Sequence, residues 1–184
     1  MILTAFRRGF HNRNIHALYG MIVAQARSPA FYADYGVPDT VEGRFELLVL
    51  HLVLLLNRLG RANQAGGRGH NRGQLLFDVF CRDLDDNLRE MGVGDMAVPR
   101  RMRHFAEAFY GRQAAYNAAM SATDERELEK ALARNIFGVV AVDERAVRLA
   151  HYARAAANQL DAGGEAALAA GKATFPSPEA FAHA

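Results

Sequence analysis

Two stretches with helically spaced apolar positions dominate the chain. In the first, Leu75, Leu76, Val79, Phe80, Leu84, Leu88 and Met91 recur at steps of three and four, the period of a helix with one apolar face. In the second, Met102, Phe105, Phe109, Gln113 and Tyr116 fall on one side, while Arg100, Arg101, Arg103 and Glu107 fall largely elsewhere. The spacing predicts helices over residues 75–91 and 99–120. Gly92 follows the last apolar position of the first, where a positive φ closes a helix. Pro99 suits the opening turn of the second, because its φ is already helical and its missing N–H needs no partner there. A connector this short favours an antiparallel pair.

The same period marks the remaining elements. Ile15, Leu18, Tyr19, Ile22 and Val23 form a stripe over residues 14–26. Ser28 and Pro29 look like a cap and a helix-start proline for a short aromatic helix closed by Gly36, whose Phe31, Tyr32 and Tyr35 rings are suited to plug one end of a core. Asp39 and Glu42 stand at capping-box spacing before a helix over residues 41–59. Within it Leu47 to Leu56 is apolar at every position except His51, about half of the roughly 20 residues that a membrane span needs, so it is expected to be a central helix covered by the others. Residues 60–73, GRANQAGGRGHNRG, lack an apolar period and are expected to form a flexible loop; with no preceding strand and no GK[ST], the glycines are not a phosphate-binding loop. A cap over residues 121–124 leads to a helix carrying Leu128, Leu132 and Ile136, and an alanine-rich helix follows over residues 143–160. The expected fold is all-α: a single-domain bundle of about seven helices around the helix at residues 41–59, with a basic N-terminal segment (1–13), the helical domain (14–160) and a tail (161–184) that wraps the surface or frays.

Composition narrows the function classes without naming one. A chain of 184 residues supports one full core and no obvious second. Arginine outnumbers lysine twenty to two but is spread along the chain, and a net charge of +2 demands no polyanionic partner. The single Cys81 cannot form an internal disulfide and sits in a helix as a small packed thiol, in keeping with a reducing compartment. The N-terminus is basic, without the apolar core and cleavage site of a signal peptide, and points to a bacterial cytoplasmic or a mature organellar protein.

No catalytic constellation emerges. Asp83, Asp85, Asp86 and Glu90 lack the ligand order of a calcium loop and read as a solvated face. His16, His51, His104 and His151 lie on different helices without zinc or di-iron spacing, and His51 is expected to be a core histidine bonded to a carbonyl. There is no nucleophile elbow. The expectation is no catalytic residues, no metal and no cofactor, with a scattered histidine site for haem as the enzyme-class alternative.

Two blocks carry a resemblance: ARSPAFYADYGVPDTVEGRFELLVLHLVLLLNRL over residues 26–59 and LFDVFCRDLDDNLREMGVGDMAVPRRMRHFAEAFYGR over residues 76–112. With their SPAFY, NLREMGVGD and FYGR segments, they resemble the ubiquinol-cytochrome c chaperone family, and the similarity runs from about Asn14 to Leu160. The resemblance implies an all-helical, non-enzymatic chaperone that receives newly made cytochrome b and holds it while ubiquinol-cytochrome c reductase, respiratory complex III, is assembled. Mitochondrial members act at the ribosome with a small partner protein and carry an N-terminal extension; its lack here is expected of an alphaproteobacterial relative, cytoplasmic or at the cytoplasmic face of the inner membrane by peripheral association.

Two surfaces are expected to serve partners. Phe31, Tyr32, Tyr35, Met91, Val93, Phe109 and Tyr110, aromatic or adaptable groups beside helix ends, are assigned to the hydrophobic client. Arg100, Arg101, Arg103 and Arg112, the strongest basic cluster, are the alternative site for RNA or the ribosome.

Overall fold

The computed structural model describes the backbone of residues 2–64 and 69–182, and side chains over 13–62 and 72–182. Among the described residues the fold is all-α: α1 (Ile2–Ala26), α2 (Ala30–Ala33), α3 (Val41–Gln64), α4 (Gly69–Glu90), α5 (Val98–Ser121), α6 (Arg126–Ile136), α7 (Glu144–Ala162) and α8 (Gly164–Ala169), then a 3-10 turn at Pro178–Phe181. None of these helices is long and apolar enough to cross a membrane.

The apolar run of α3 explains the architecture. Leu47, Val49, Leu50, Leu52, Val53, Leu54 and Leu55 are all buried, and α3 packs against α1, α4, α5, α6 and α7. A helix that is apolar nearly all round must be covered on nearly all sides. α4 runs back along it, with Leu56 against Gly73 at one end and the Phe45 and Phe80 rings 6.5 Å apart nearer the other. α5 returns along α4, its Phe109 4.7 Å from the Phe77 ring. Glu46 of α3, nearly buried, is held by Arg112 of α5 through bonds of 3.1 Å from Nε and 2.7 Å from Nη2.

Helix ends follow local chemistry, with corrections to the expected ones. Gly92, at φ +77°, closes α4 as predicted: its N–H donates to the Arg89 carbonyl and that of Val93 to the Leu88 carbonyl, the paired bonds of a Schellman stop. At the start of α3 the cap is Thr40, whose Oγ1 accepts from Gly43 N, whereas Asp39 turns instead to Arg44. Pro29 stands at the cap of α2 with no side-chain bond, so Ser28 does not cap it. Asp143 caps α7 by accepting from the N–H groups of Arg145 and Ala146.

The expected loop at residues 60–73 and the expected start of the first helix differ. The glycine-rich stretch at residues 60–73 is helical over most of its length, since α3 continues to Gln64 and α4 begins at Gly69; the rest of it lies outside the described residues. α1 begins at Ile2, well before residue 14, although the side chains of the basic segment's first twelve residues lie outside those described. The tail wraps: Asn14 donates to the Ala169 carbonyl, Gln25 to that of Pro176 and Tyr35 to that of Pro178.

Candidate functional site

Near the turn between α4 and α5 the helices part to leave an apolar groove. α3 supplies Val41, Phe45 and Leu48; α4 and its end supply Leu84, Leu88 and Met91. Each set steps by four and then three residues, so each is one stripe on one helix face. Val23 and Ala26 of α1 form one side and Phe105 of α5 the other, its ring 4.9 Å from that of Phe45. The space enclosed is about 180 Å³. That is below the roughly 300–1,000 Å³ of sites that take drug-sized ligands, and suits inserted side chains instead.

The rim is polar. Asp83 accepts from the Tyr19 hydroxyl at 2.8 Å, and burial together with that carboxylate holds the phenol well above its ordinary range. Arg44 donates to Asp39 at 2.7 Å and lies 5.7 Å from the centre of the Tyr32 ring. Asn87 and Arg27 complete the lining. At the open end Val41 and Met91 are 62% and 60% exposed. Fully burying such a side chain is worth about 1.5–3 kcal/mol, which is left unclaimed here.

Of the seven residues assigned to a client, Met91 lines this groove and half-buried Val93 follows it as part of the helix stop. Tyr32 lies in an adjoining hollow that shares Arg27 and Arg44 with it. Tyr110 is exposed beside Phe77, outside the groove lining. Phe31, Tyr35 and Phe109 must be corrected: all three are buried, because rings this large are the natural fill for the core. Phe31 packs on His51 at 5.4 Å and Tyr152 at 4.9 Å, and Phe109 on Phe80 at 5.8 Å.

The basic cluster divides. Arg100, Arg101 and Arg103 are exposed, but Arg112 is spent on Glu46 and is not part of their face. Asp83 likewise is not merely solvated, since it joins α4 to α1 through Tyr19. His51 is a buried core histidine with a carbonyl partner, as expected, while His16, His104 and His151 are exposed on separate helices. Cys81 is half-buried, and burial pushes its thiol up, away from a reactive thiolate. Among the described residues no three His, Cys, Asp or Glu side chains are grouped to hold a metal ion.

Sequence periodicity missed the groove as a unit. Leu84, Leu88 and Phe105 carry the same apolar period whether a neighbour covers them or not. The available signal was Val41, an apolar residue in the exposed first turn of a helix, opposite Met91 at the end of another.

Comparison with known proteins agrees with this architecture. Residues 33–175 match the ubiquinol-cytochrome C chaperone family. Ubiquinol-cytochrome c reductase complex assembly factor 1 from Drosophila melanogaster is 26% identical over 79% of this chain and 57% of that protein. Its counterpart from Xenopus laevis is 26% identical over 72% of this chain and 64% of that one. The chain thus spans somewhat over half the length of these relatives. The crystal structure of the Cbp3 homolog from Brucella abortus superposes with a TM-score of 0.82 at 38% identity, covering 97% of this chain and 98% of that one. A family match over most of the chain and a shared fold from end to end give one answer: the protein belongs to the ubiquinol-cytochrome C chaperone family.

Proposed function

We propose that this protein is an assembly factor for ubiquinol-cytochrome c reductase, and that it holds newly made cytochrome b from the cytoplasmic side of the membrane by binding alone, with no bond made or broken. Family membership supports the assembly role, as do the relatives named for assembly of that complex. The observation that carries the binding mode is the groove between α3 and α4, where Val41 and Met91 stand open to water above an apolar floor. A client whose apolar segments are not yet packed offers the complementary surface. Met91 suits this work because a flexible thioether adapts to irregular partners.

The assembly role is tested by deleting the gene and measuring assembled complex III in membranes. A deep loss, restored by the intact gene, is expected; an undiminished complex refutes the assignment. The binding mode is tested with photo-crosslinking residues at Val41 and Met91 and at the remote, exposed Glu125. Cytochrome b captured from the first two positions and not the third is expected. Capture from Glu125 alone would place the client elsewhere.

A further inference from the structure

Beyond Lys172 the tail is held in the manner of a bound peptide. Among the described residues, the main chain of residues 173–182 makes no hydrogen bond to the main chain of α1 to α8. Side chains of the bundle meet its carbonyls instead: Gln25 donates to Pro176 at 2.9 Å, Tyr35 to Pro178 at 2.7 Å and Arg148 to Ala182 at 2.9 Å. The Phe175 ring stands edge-on to His51 at 5.3 Å and the Phe181 ring edge-on to Tyr152 at 6.2 Å, yet both phenylalanines are only half-buried. The segment therefore lies on the bundle, fastened by its carbonyls and two aromatic anchors.

Its sequence explains that mode of attachment. Proline fixes φ near −65° and has no N–H, so Pro176 and Pro178 offer acceptors without donors. Ser177 between them has φ −61° and ψ 125°, close to the roughly −75° and 145° of polyproline II. That conformation makes no internal hydrogen bonds, which frees its carbonyls for outside donors, and aromatic-lined grooves recognise it because it is already ordered before binding. Gln25 and Tyr35 supply the donors here, and His51 and Tyr152 the rings. None of these four lines the groove between α3 and α4, so the seat is separate from the client surface proposed above. We propose that α1, α3 and α7, with Tyr35, form a binding site for an extended Phe-Pro-x-Pro-x-x-Phe segment, that the tail occupies it in cis, and that a segment of this chemistry from another polypeptide replaces the tail there. Tethering gives the tail an effective concentration on the order of millimolar, so an intruding segment enters when the tail has lifted or been cut.

The test frees the tail without removing it. Lys130 and Lys172 are the only lysines of the chain, so Lys130→Arg leaves Lys172, exposed just past the turn at Gly171, as the single site for a lysine-specific protease. The cut chain should keep its helical circular dichroism and take up a fluorescein-labelled peptide copying residues 173–184, to one per chain by anisotropy. A peptide with Phe175→Ala and Phe181→Ala should bind about tenfold weaker or worse, because aromatic anchors carry such contacts. One with Pro176→Ala and Pro178→Ala should bind roughly fivefold weaker, for loss of the preset backbone. Tyr35→Phe in the cut chain keeps the ring, removes the donor to Pro178 and should also cost roughly fivefold. The uncut chain should take up the labelled peptide far more weakly than the cut one. If Lys172 resists the protease, or the cut chain loses its helices, the tail is an integral part of the core and the proposal falls. It falls equally if the folded, cut chain excludes the labelled peptide, if the native and alanine peptides bind alike, or if cut and uncut chains bind alike. The assembly role is judged separately, by complex III in the deletion strain, so its failure cannot be mistaken for any of these results.

Discussion

The Tyr152 hydroxyl lies 2.8 Å from His51 Nε2, a buried bond between residues 101 apart in sequence. At the other side of the ring, Nδ1 lies 2.7 Å from the Leu47 carbonyl. A carbonyl only accepts, so Nδ1 carries the proton and Nε2 accepts from Tyr152. The phenol oxygen accepts in turn from Gln25 Nε2 at 2.9 Å, and the same amide donates to the Pro176 carbonyl at 2.9 Å. One polar chain therefore ties α3, α7, α1 and the tail together inside the core.

Removing the middle of that chain should be costly. Tyr152→Phe keeps the ring that packs on Phe31 but leaves His51 Nε2 buried without a donor. The expected loss is about 1–3 kcal/mol of unfolding free energy by urea titration. A loss below about 0.5 kcal/mol would mean that the bond is not a structural support.

Acid should act through the same histidine. Burial lowers His51 from 6.5 to about 4, because a protonated ring would be desolvated and Nε2 could no longer accept from Tyr152. Between those values the unfolded chain binds a proton that the folded one does not, so stability rises with pH there. The contribution is complete above about pH 6.5 and is lost as pH falls toward 4, by about 3 kcal/mol from this group. His51→Gln should flatten this part of the stability curve measured by thermal unfolding; an unchanged slope would assign the acid sensitivity to other groups.

Much of the fold was legible because the driving pattern is local. The α4–α5 pair, its Gly92 stop and the central position of α3 follow from apolar period and helix-end chemistry carried by neighbouring residues. What sequence could not show depends on distant partners. Phe31 and Met91 read alike as apolar groups near helix ends, yet Tyr152 and His51 cover the first while nothing among the described residues covers much of the second. Arg112 reads as part of a basic face until Glu46, 66 residues away, claims it. The tail packs Leu168 and Ala182 into the core and Phe175 and Phe181 onto His51 and Tyr152, but these residues are irregularly spaced, and the carbonyls of Ala169, Pro176 and Pro178 that also hold it leave no mark in a sequence.

The ion pair of Glu46 and Arg112 should behave as a unit. Burial raises the Glu46 carboxyl from its ordinary range, with Arg112 opposing that shift. Arg112→Met would leave the nearly buried carboxylate uncompensated and should cost about 2–3 kcal/mol at neutral pH. The deficit should shrink as the pH is lowered and Glu46 takes up a proton. Adding Glu46→Leu should recover most of it, which a double-mutant cycle of unfolding free energies would read directly; additive losses would deny the coupling.

Two glycines in helices should respond in opposite directions to alanine. A Cβ on Gly43 would lie 2.0 Å from the Pro38 carbonyl oxygen, so Gly43→Ala must displace backbone at the start of α3 and should destabilise by more than about 2 kcal/mol. A Cβ on Gly20 meets nothing within 4 Å, so Gly20→Ala should stabilise by roughly 0.5–1 kcal/mol. Thermal melts of the two variants check both signs.

Surface and core should separate cleanly at the groove. Val41→Asp and Met91→Glu replace side chains already more than half exposed, so neither should change unfolding free energy by more than about 0.5 kcal/mol. Both put a charge where an apolar segment is to dock, and should lower assembled complex III without lowering the amount of this protein. Phe31→Ala should do the reverse in order of cause: it empties a fully buried site, costs about 3–5 kcal/mol, and reduces complex III only as far as the protein itself is lost. Measuring the level of this protein beside that of the complex in each strain distinguishes the two routes. If Val41→Asp and Met91→Glu leave the complex at its normal level while the protein is present, the groove is not where the client is held.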